Sequence, residues 1–355
     1  MTRHERRHAK ERRGRRILLW IACWFLLAQI ACSLVLDYFW VRVRNPMQAE
    51  RYARLKARAR PPEILFLGSS RFGGDINCEV MDAELRAQLG DRAPRTFNAW
   101  LGKGDPTAFE RVFTELSQEG YRPKLIVLEV DPAALAGRDN WLYYHAMNLL
   151  DWTDVPEAGP ALCRNGRILF LVRGRLLPLY LHNDQLRREL VSVVKSQFET
   201  PREKVTIDPP IPPPVSADPQ PPVQSPEAKQ WIQDGYADFS RQLRNYHLQG
   251  VTTRRLERLL AQCKEAGVPV LLVGVPVSSP QRRACTPEVN AVFLDYLASL
   301  EQRSGCSFTD WRERVPDTYF GDGHHVYPEG GVYFSRRFAA EELVPRWRTN
   351  AFAQQ

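Results

Sequence analysis

The chain has no C-x-x-C pair, no internal repeat, no second cluster of histidine, cysteine and acid beside its one His-His pair, and almost no net charge beyond its first sixteen residues. Each absence removes a class of function. Seven cysteines occur in 355 residues, and two of them, Cys23 and Cys32, sit inside an apolar run. The other five (Cys78, Cys163, Cys263, Cys285 and Cys306) have irregular spacings that suit neither a structural zinc site nor a thioredoxin-like redox motif. They read as small buried hydrophobes, with one or two disulfides left open if the surrounding compartment oxidises thiols. The formal charge of +8 resembles a nucleic-acid signal until it is located. The opening stretch MTRHERRHAKERRGRR carries eight Lys and Arg against two Glu, which leaves about +2 for everything after it. No nucleic-acid-binding surface is expected.

Long apolar runs are equally scarce. The single one, ILLWIACWFLLAQIACSLVL, spans twenty uncharged residues from Ile17 to Leu36 and is followed by Tyr38, Phe39 and Trp40, a bilayer-length segment with an interfacial aromatic belt. Lys and Arg resist translocation, so residues 1–16 are expected in the cytoplasm and everything after Asp37 across the membrane. The expectation is a single-pass protein of the inner (cytoplasmic) membrane, in contact with the lipid bilayer, with a periplasmic C-terminal domain. A cleaved signal peptide fits less well, because the run is longer than usual and no A-x-A site follows. A lipoprotein site at Cys32 would need an aliphatic residue three positions earlier, where Gln29 stands.

After a polar stalk over 37–60, PPEILFLGSSRFGG gives a strand followed by a Gly/Ser turn. Buried-strand runs recur at KLIVLEV (124–130) and VPVLLVGV (268–275), with weaker ones at RTFNAW (95–100) and CSFTDW (306–311). Amphipathic stretches that end in glycine separate most of them: INCEVMDAELRAQLG, DPTAFERVFTELSQEG, TTRRLERLLAQCKEAG and PEVNAVFLDYLASLEQRSG. Strands alternating with such helices predict an α/β fold, a three-layer α/β/α sandwich around a mostly parallel flavodoxin-like sheet, with active loops at the carboxyl ends of strands. That domain is expected over 61–345, with a short tail at 346–355. An insertion at about 134–250 interrupts it and includes DPPIPPPVSADPQPPVQSP (208–226), too rich in proline for core structure. It reads as a surface loop between helices, a cap over the active face or a partner-binding arm.

Two short stretches carry chemistry. In ILFLGSSR, Gly68 permits a sharp turn at the end of a strand that presents a serine hydroxyl above the sheet. In GDGHHVYPEGG (321–331), Asp322 and His325 stand three apart in one tight loop, so that one ring nitrogen can be held by the acid while the other reaches a serine. His324 is the bystander, a solvent-facing residue or a supporting contact. A metal at this loop would want a further, separated ligand, and no metal or other cofactor is expected.

Taken together, GSS after a strand and D-x-x-H before a final helix resemble the first and last conserved blocks of the SGNH (GDSL-type) hydrolase superfamily. The resemblance implies Ser70 as nucleophile, His325 as base and Asp322 as its orienting acid, with Pro328 and Gly330 at the start of the last helix. It implies oxyanion donors from the backbone of Ser70 and from a glycine in FNAWLGKGDPT, where Gly104 fits better than Gly102. The family's third block would supply an asparagine after LIVLEV, but the chain reads Val130-Asp131-Pro132. Two readings stay open: Asn98 or Arg71 substitutes as donor, or the reaction is slow. Asp131 also reads as a helix cap. The whole-chain architecture is similar to the D-alanyl transfer protein of lipoteichoic acid synthesis and to accessory proteins of alginate O-acetylation. That likeness implies a serine acyltransferase or esterase acting on O-acyl groups of a cell-envelope polysaccharide, partnered by a membrane-bound O-acyltransferase. The alternative is an inactive scaffold for such a partner.

Overall fold

Five short runs pair into one parallel sheet: β1 (Ile64–Leu67), β2 (Thr96–Asn98), β3 (Leu125–Val130), β4 (Val270–Gly274) and β5 (Ser307–Asp310), in the order β2-β1-β3-β4-β5. All five lie where the apolar runs of the sequence place them. The computed structural model describes residues 3–196, 212–213 and 217–349. Residues 208–211 and 214–216 of the proline-rich segment, and the end of the expected tail, lie outside the described residues.

Strands β1, β3 and β4 are buried along their whole length, as a sheet covered on both faces requires. Side chains alternate across a strand, so Ile64, Phe66, Leu125, Val127, Leu271 and Val273 share one face and join Phe72, Met81, Leu85, Phe334 and Phe338 in a single core. The intervening Leu65, Leu67, Ile126, Leu128 and Leu272 are equally buried and face the other way. On that side the helices Pro106–Gln118, Val251–Glu265 and Pro287–Ser304 pack on one another. The result is the expected α/β/α layering. The helices also stop where glycine predicts: Gly90, Gly120, Gly267 and Gly305 all have positive φ, at 62°, 82°, 67° and 73°. A Cβ is strained there, and the Gly305 N–H still closes the last turn onto Glu301 O at 3.0 Å.

The described residues fall into two compact units, one within 1–49 and 143–203 and the other, which holds the sheet, within 50–142 and 204–355. In the first, the helix Arg3–Tyr38 contains a 27-residue stretch, Arg12–Tyr38, long and apolar enough to cross a membrane. At its end Asp37 takes Arg44 Nε at 2.7 Å and Arg175 Nη1 at 2.6 Å, all three buried. Arg44 Nη1 also donates to Gly174 O at 3.2 Å. Gly174 must be small, because a Cβ there would lie 2.5 Å from Ala146 O. The helix Ile168–Leu176 is thereby fastened to the end of the N-terminal one. All seven cysteines are free.

One buried acid makes the sheet unit sensitive to pH. Asp82, on the helix Cys78–Leu89, accepts hydrogen bonds from Thr96 N–H at 2.9 Å and Thr96 Oγ1 at 2.7 Å. Burial is the largest influence on its carboxyl and pushes it up to about 6, against the pull of those bonds. In the unfolded chain an Asp ionises near ~3.9. The folded state therefore holds its proton longer, and stability falls as pH rises from about 4 through 6, by up to about 3 kcal/mol. Asp82→Asn keeps an acceptor and removes the charge. Urea unfolding should find the variant more stable than the parent by about 1–3 kcal/mol at pH 7.5, with the gap closing near pH 4.5; an equal gap at both pH values would contradict this account.

Candidate active site

Strand β1 ends at Leu67, and the chain turns through Gly68 into the short helix Ser70–Asp75. A Cβ at Gly68 would lie 2.3 Å from the Phe72 ring, so only glycine fits this turn. The two serines that follow have separate roles. Ser69 is buried; its N–H and Oγ donate to Glu129 at 2.6 and 2.8 Å, and its Oγ accepts from Arg71 N–H at 3.2 Å. Ser70 is half-buried and borders a cavity of about 500 Å³.

The loop that faces it is tied from within and from outside. Phe320 and Val326 form an antiparallel bridge, Gly321 N–H donates to His325 O at 2.9 Å, and Asp322 Oδ1 accepts from the N–H groups of His324 and His325 at 2.8 and 2.7 Å. Just beyond β4, Ser278 donates to Gly323 O through both its N–H (3.1 Å) and its Oγ (2.8 Å).

Helix contact then brings loop and serine together. The helix Pro328–Phe338 approaches the helix Ser70–Asp75 so closely that a Cβ at Gly331 would lie 2.3 Å from Gly74 O. Ser335 Oγ bridges the same elements, donating to Asp75 O at 2.9 Å and accepting from Asn77 N–H at 2.7 Å. Gly331→Ala must push the helices apart and should cost about 1–3 kcal/mol. The urea midpoint reports it, and an unchanged midpoint would mean that the contact has slack.

Ser70 Oγ consequently lies 2.9 Å from His325 Nε2, and His325 Nδ1 lies 2.8 Å from Asp322 Oδ2. Burial favours a protonated Asp322, but the hydrogen bond from His325 and, in the acid range where the carboxyl titrates, the charge of His324 outweigh it and hold the carboxyl far below its ordinary range. Burial, and then the neighbouring His325, drives His324 down to about 4, so it is uncharged near neutrality. Ligand-type atoms of Asp322, His324 and His325 do come within 4.8 Å of one another. Both Asp322 oxygens and both His325 nitrogens are engaged in the bonds already described, an arrangement that suits a base oriented by an acid.

On the opposite side of the serine the structure departs from the sequence expectations. Asn98 does not border the cavity: its Nδ2 donates to Phe72 O at 2.7 Å and Ile76 O at 3.4 Å, at the end of the short helix. Gly104 does border it, but its N–H closes a turn onto Leu101 O at 2.9 Å. Its lack of a side chain serves packing, since a Cβ would lie 2.8 Å from the Phe109 ring. Asp131 caps the turn Pro132–Leu135, taking the N–H groups of Ala133 and Ala134 at 2.8 and 3.0 Å, and its other oxygen pairs with Arg71 Nη1 at 2.7 Å. Arg71 Nε and Nη2 reach Glu129 Oε1 at 2.9 and 2.7 Å. Burial opposes a charge on Arg71, but Asp131 and Glu129 outweigh it and raise its pKa further, so it stays a cation. Of the five N–H donors of a guanidinium, these contacts use three. Behind it Asp75 is fully buried, with no hydrogen-bond partner for either carboxylate oxygen among the described residues. Burial first, and Glu129 second, raise its pKa well above the ordinary range, which spares the site another negative charge.

The far wall of the cavity is the helix Pro226–Gln242, from the stretch least readable in the sequence. Its signal was there in hindsight: Trp231, Asp234, Asp238 and Gln242 recur at helical spacing and line one cavity. The end of the proline-rich segment is likewise ordered against the site's supports. Gln224 Nε2 donates to Asp317 O at 2.8 Å and Phe320 O at 2.9 Å, and Asp218 pairs with Arg336 at 2.8 Å.

No family model matches the chain, and no curated protein matches it. Among solved structures it is similar to a Bacteroides fragilis protein provisionally assigned as an acylhydrolase, at 12% identity and a TM-score of 0.39, over 87% of this chain and 98% of that one. A likeness that slight bears on neither fold nor activity.

Proposed function

We propose that the chain is an SGNH-like serine acyltransferase or esterase, held at a membrane by its N-terminal helix, that acts on O-acyl groups of a cell-envelope polysaccharide through an acyl-Ser70 intermediate. The observation that carries the reading is the continuous relay from Ser70 Oγ through His325 to Asp322, at 2.9 and 2.8 Å, opening on a cavity. Ser70 Oγ attacks the acyl carbonyl as its proton passes to His325 Nε2. Asp322 holds the Nδ1 proton and stabilises the imidazolium. The oxyanion falls to the Ser70 N–H and to the unused N–H groups of Arg71, which stand in for the asparagine that Asp131 replaces. The protonated His325 then releases the alcohol, and water or a sugar hydroxyl takes the acyl group.

The polysaccharide and a membrane-bound O-acyltransferase partner rest on the likeness of architecture to envelope acylation proteins. The helix Arg3–Tyr38 supports the anchor, and the basic residues before Ile17 support a cytoplasmic N-terminus. A second reading, the inactive scaffold, is favoured by one observation: neither Asn98 nor the Gly104 N–H is available to an oxyanion.

Fluorophosphonate labelling of the full chain in lipid nanodiscs tests the first reading. Labelling confined to Ser70 is expected; an unlabelled, folded chain would leave the scaffold. For topology, alkaline phosphatase fused to the C-terminus should be active, and an inactive fusion beside an active cytoplasmic reporter would overturn the envelope assignment.

A further inference from the structure

We infer that the wall formed by the helix Pro226–Gln242 binds an uncharged sugar ring beside Ser70, presenting hydroxyl groups to the site and turning away uronates and phosphates. The binding itself is independent of the chemistry proposed above; only what the bound sugar does there rests on that reading.

The wall is a built surface. Ser225 caps the helix by accepting Ala228 N–H at 3.1 Å, and Pro226 opens it. Its buried side chains enter two cores, Ile232 beside Phe320 and Phe334, Phe239 beside Ala133 and Ala284. Gly235 then lies directly on the catalytic loop, where a Cβ would come 2.9 Å from Gly323 Cα. The helix therefore keeps a fixed distance from Asp322 and His325. What it turns to the cavity is Trp231, Asp234, Asp238 and Gln242.

Three features select the ligand. Trp231 is 58% exposed at the cavity mouth, where a large aromatic face is left uncovered by the protein, and the polarised C–H face of a pyranose is a suitable cover. Gln281 lines the same cavity, is only 3% exposed, and its carboxamide has no hydrogen-bond partner among the described residues. That group offers both donors and an acceptor. A hydroxyl answers both, whereas a carboxylate only accepts. Charge makes the third selection. Arg71 with its two carboxylate partners, Glu129 and Asp131, forms a cluster with more acids than bases, and Asp234, Asp238 (itself paired with Arg241) and Asp322 line the cavity beside Lys103, so a free anion is disfavoured. The volume of about 500 Å³ is that of a small-molecule site.

The experiment uses the full chain carrying Ser70→Ala in nanodiscs, so that no turnover intervenes, and saturation-transfer NMR with cellotetraose, maltotetraose and mannotetraose as neutral probes and tetragalacturonate as the anion. Saturable binding of at least one neutral tetrasaccharide is expected, and it should be insensitive to 0.5 M salt, where the Debye length is only about 4 Å. Trp231→Ala and Gln281→Leu, introduced separately, should each weaken that affinity about tenfold. Binding of tetragalacturonate alone, no binding of any neutral probe, or affinity unchanged in both variants would overturn the inference. Fluorophosphonate labelling of the parent chain, run in parallel, separates the two claims. Labelling without neutral-sugar binding removes the sugar wall and leaves the nucleophile; sugar binding without labelling keeps the wall and removes the enzyme.

Discussion

Replacing Ser70 by alanine should abolish fluorophosphonate labelling and lower ester turnover by on the order of 10⁴- to 10⁶-fold. His325→Ala should do the same, and the double variant should be no worse than either single one. The reason is that the two residues act as a unit: the hydroxyl is a poor nucleophile until Nε2, 2.9 Å away, removes its proton. Asp322→Asn separates geometry from electrostatics. An asparagine oxygen can still accept the His324 and His325 N–H bonds that shape the loop. Its amide, however, favours the wrong imidazole tautomer and cannot stabilise the imidazolium, so a loss on the order of 10⁴-fold is expected. All three side chains are partly exposed, and each substitution should leave protein abundance and the urea midpoint nearly unchanged. If Ser70→Ala and His325→Ala proteins restored full polymer acylation to a deletion strain, the relay would be a fossil and the scaffold reading would stand.

Arg71→Ala should be the most destabilising single change near the site, at about 3–5 kcal/mol. The guanidinium is 6% exposed and lies between Glu129 and Asp131, themselves 4% and 3% exposed, so its removal strands two buried carboxyl groups. Their other partners, Ser69 for Glu129 and the Ala133 and Ala134 N–H groups for Asp131, moderate the loss without cancelling the charge. A combined Arg71→Met, Glu129→Gln, Asp131→Asn chain removes all three charges together and should recover most of the stability. Equilibrium unfolding in urea checks both. A triple variant no more stable than Arg71→Ala would mean that packing of the arginine stem, and not its charge, supports this corner.

Much of this was legible because local signals and global fold agree. Continuous aliphatic runs such as KLIVLEV could only be covered strands, and glycines at the ends of amphipathic stretches took the left-handed conformation that stops a helix. Asp322 and His325 were readable because three-residue spacing in a tight loop nearly determines their contact. The oxyanion side was not, because it depends on which way Asn98 turns and on a turn that engages the Gly104 N–H. Glu129 did leave a trace, as the one charged residue within an apolar strand, but its partner Arg71 lies 58 positions away and no periodicity connects them. The cavity wall was hidden for another reason. A helix in an insertion shows its apolar face plainly, but what its polar face borders is settled only by the loops it packs on.

The pairing of Asp37 with Arg175 also sets an order of events during synthesis. The two residues are 138 positions apart, so at about 5–20 residues per second the N-terminal helix is complete roughly 7–30 s before the arginine that neutralises its last acid has been made. Through that interval Arg44 alone can hold Asp37. The N-terminal helix is therefore not an independent element: a chain begun at residue 50 would retain Arg175 but neither Asp37 nor the helix end on which Ile168–Leu176 is fastened. Such a truncation leaves the buried Arg175 guanidinium with Leu150 O but without its carboxylate, a pairing that only a chain keeping the N-terminal helix retains.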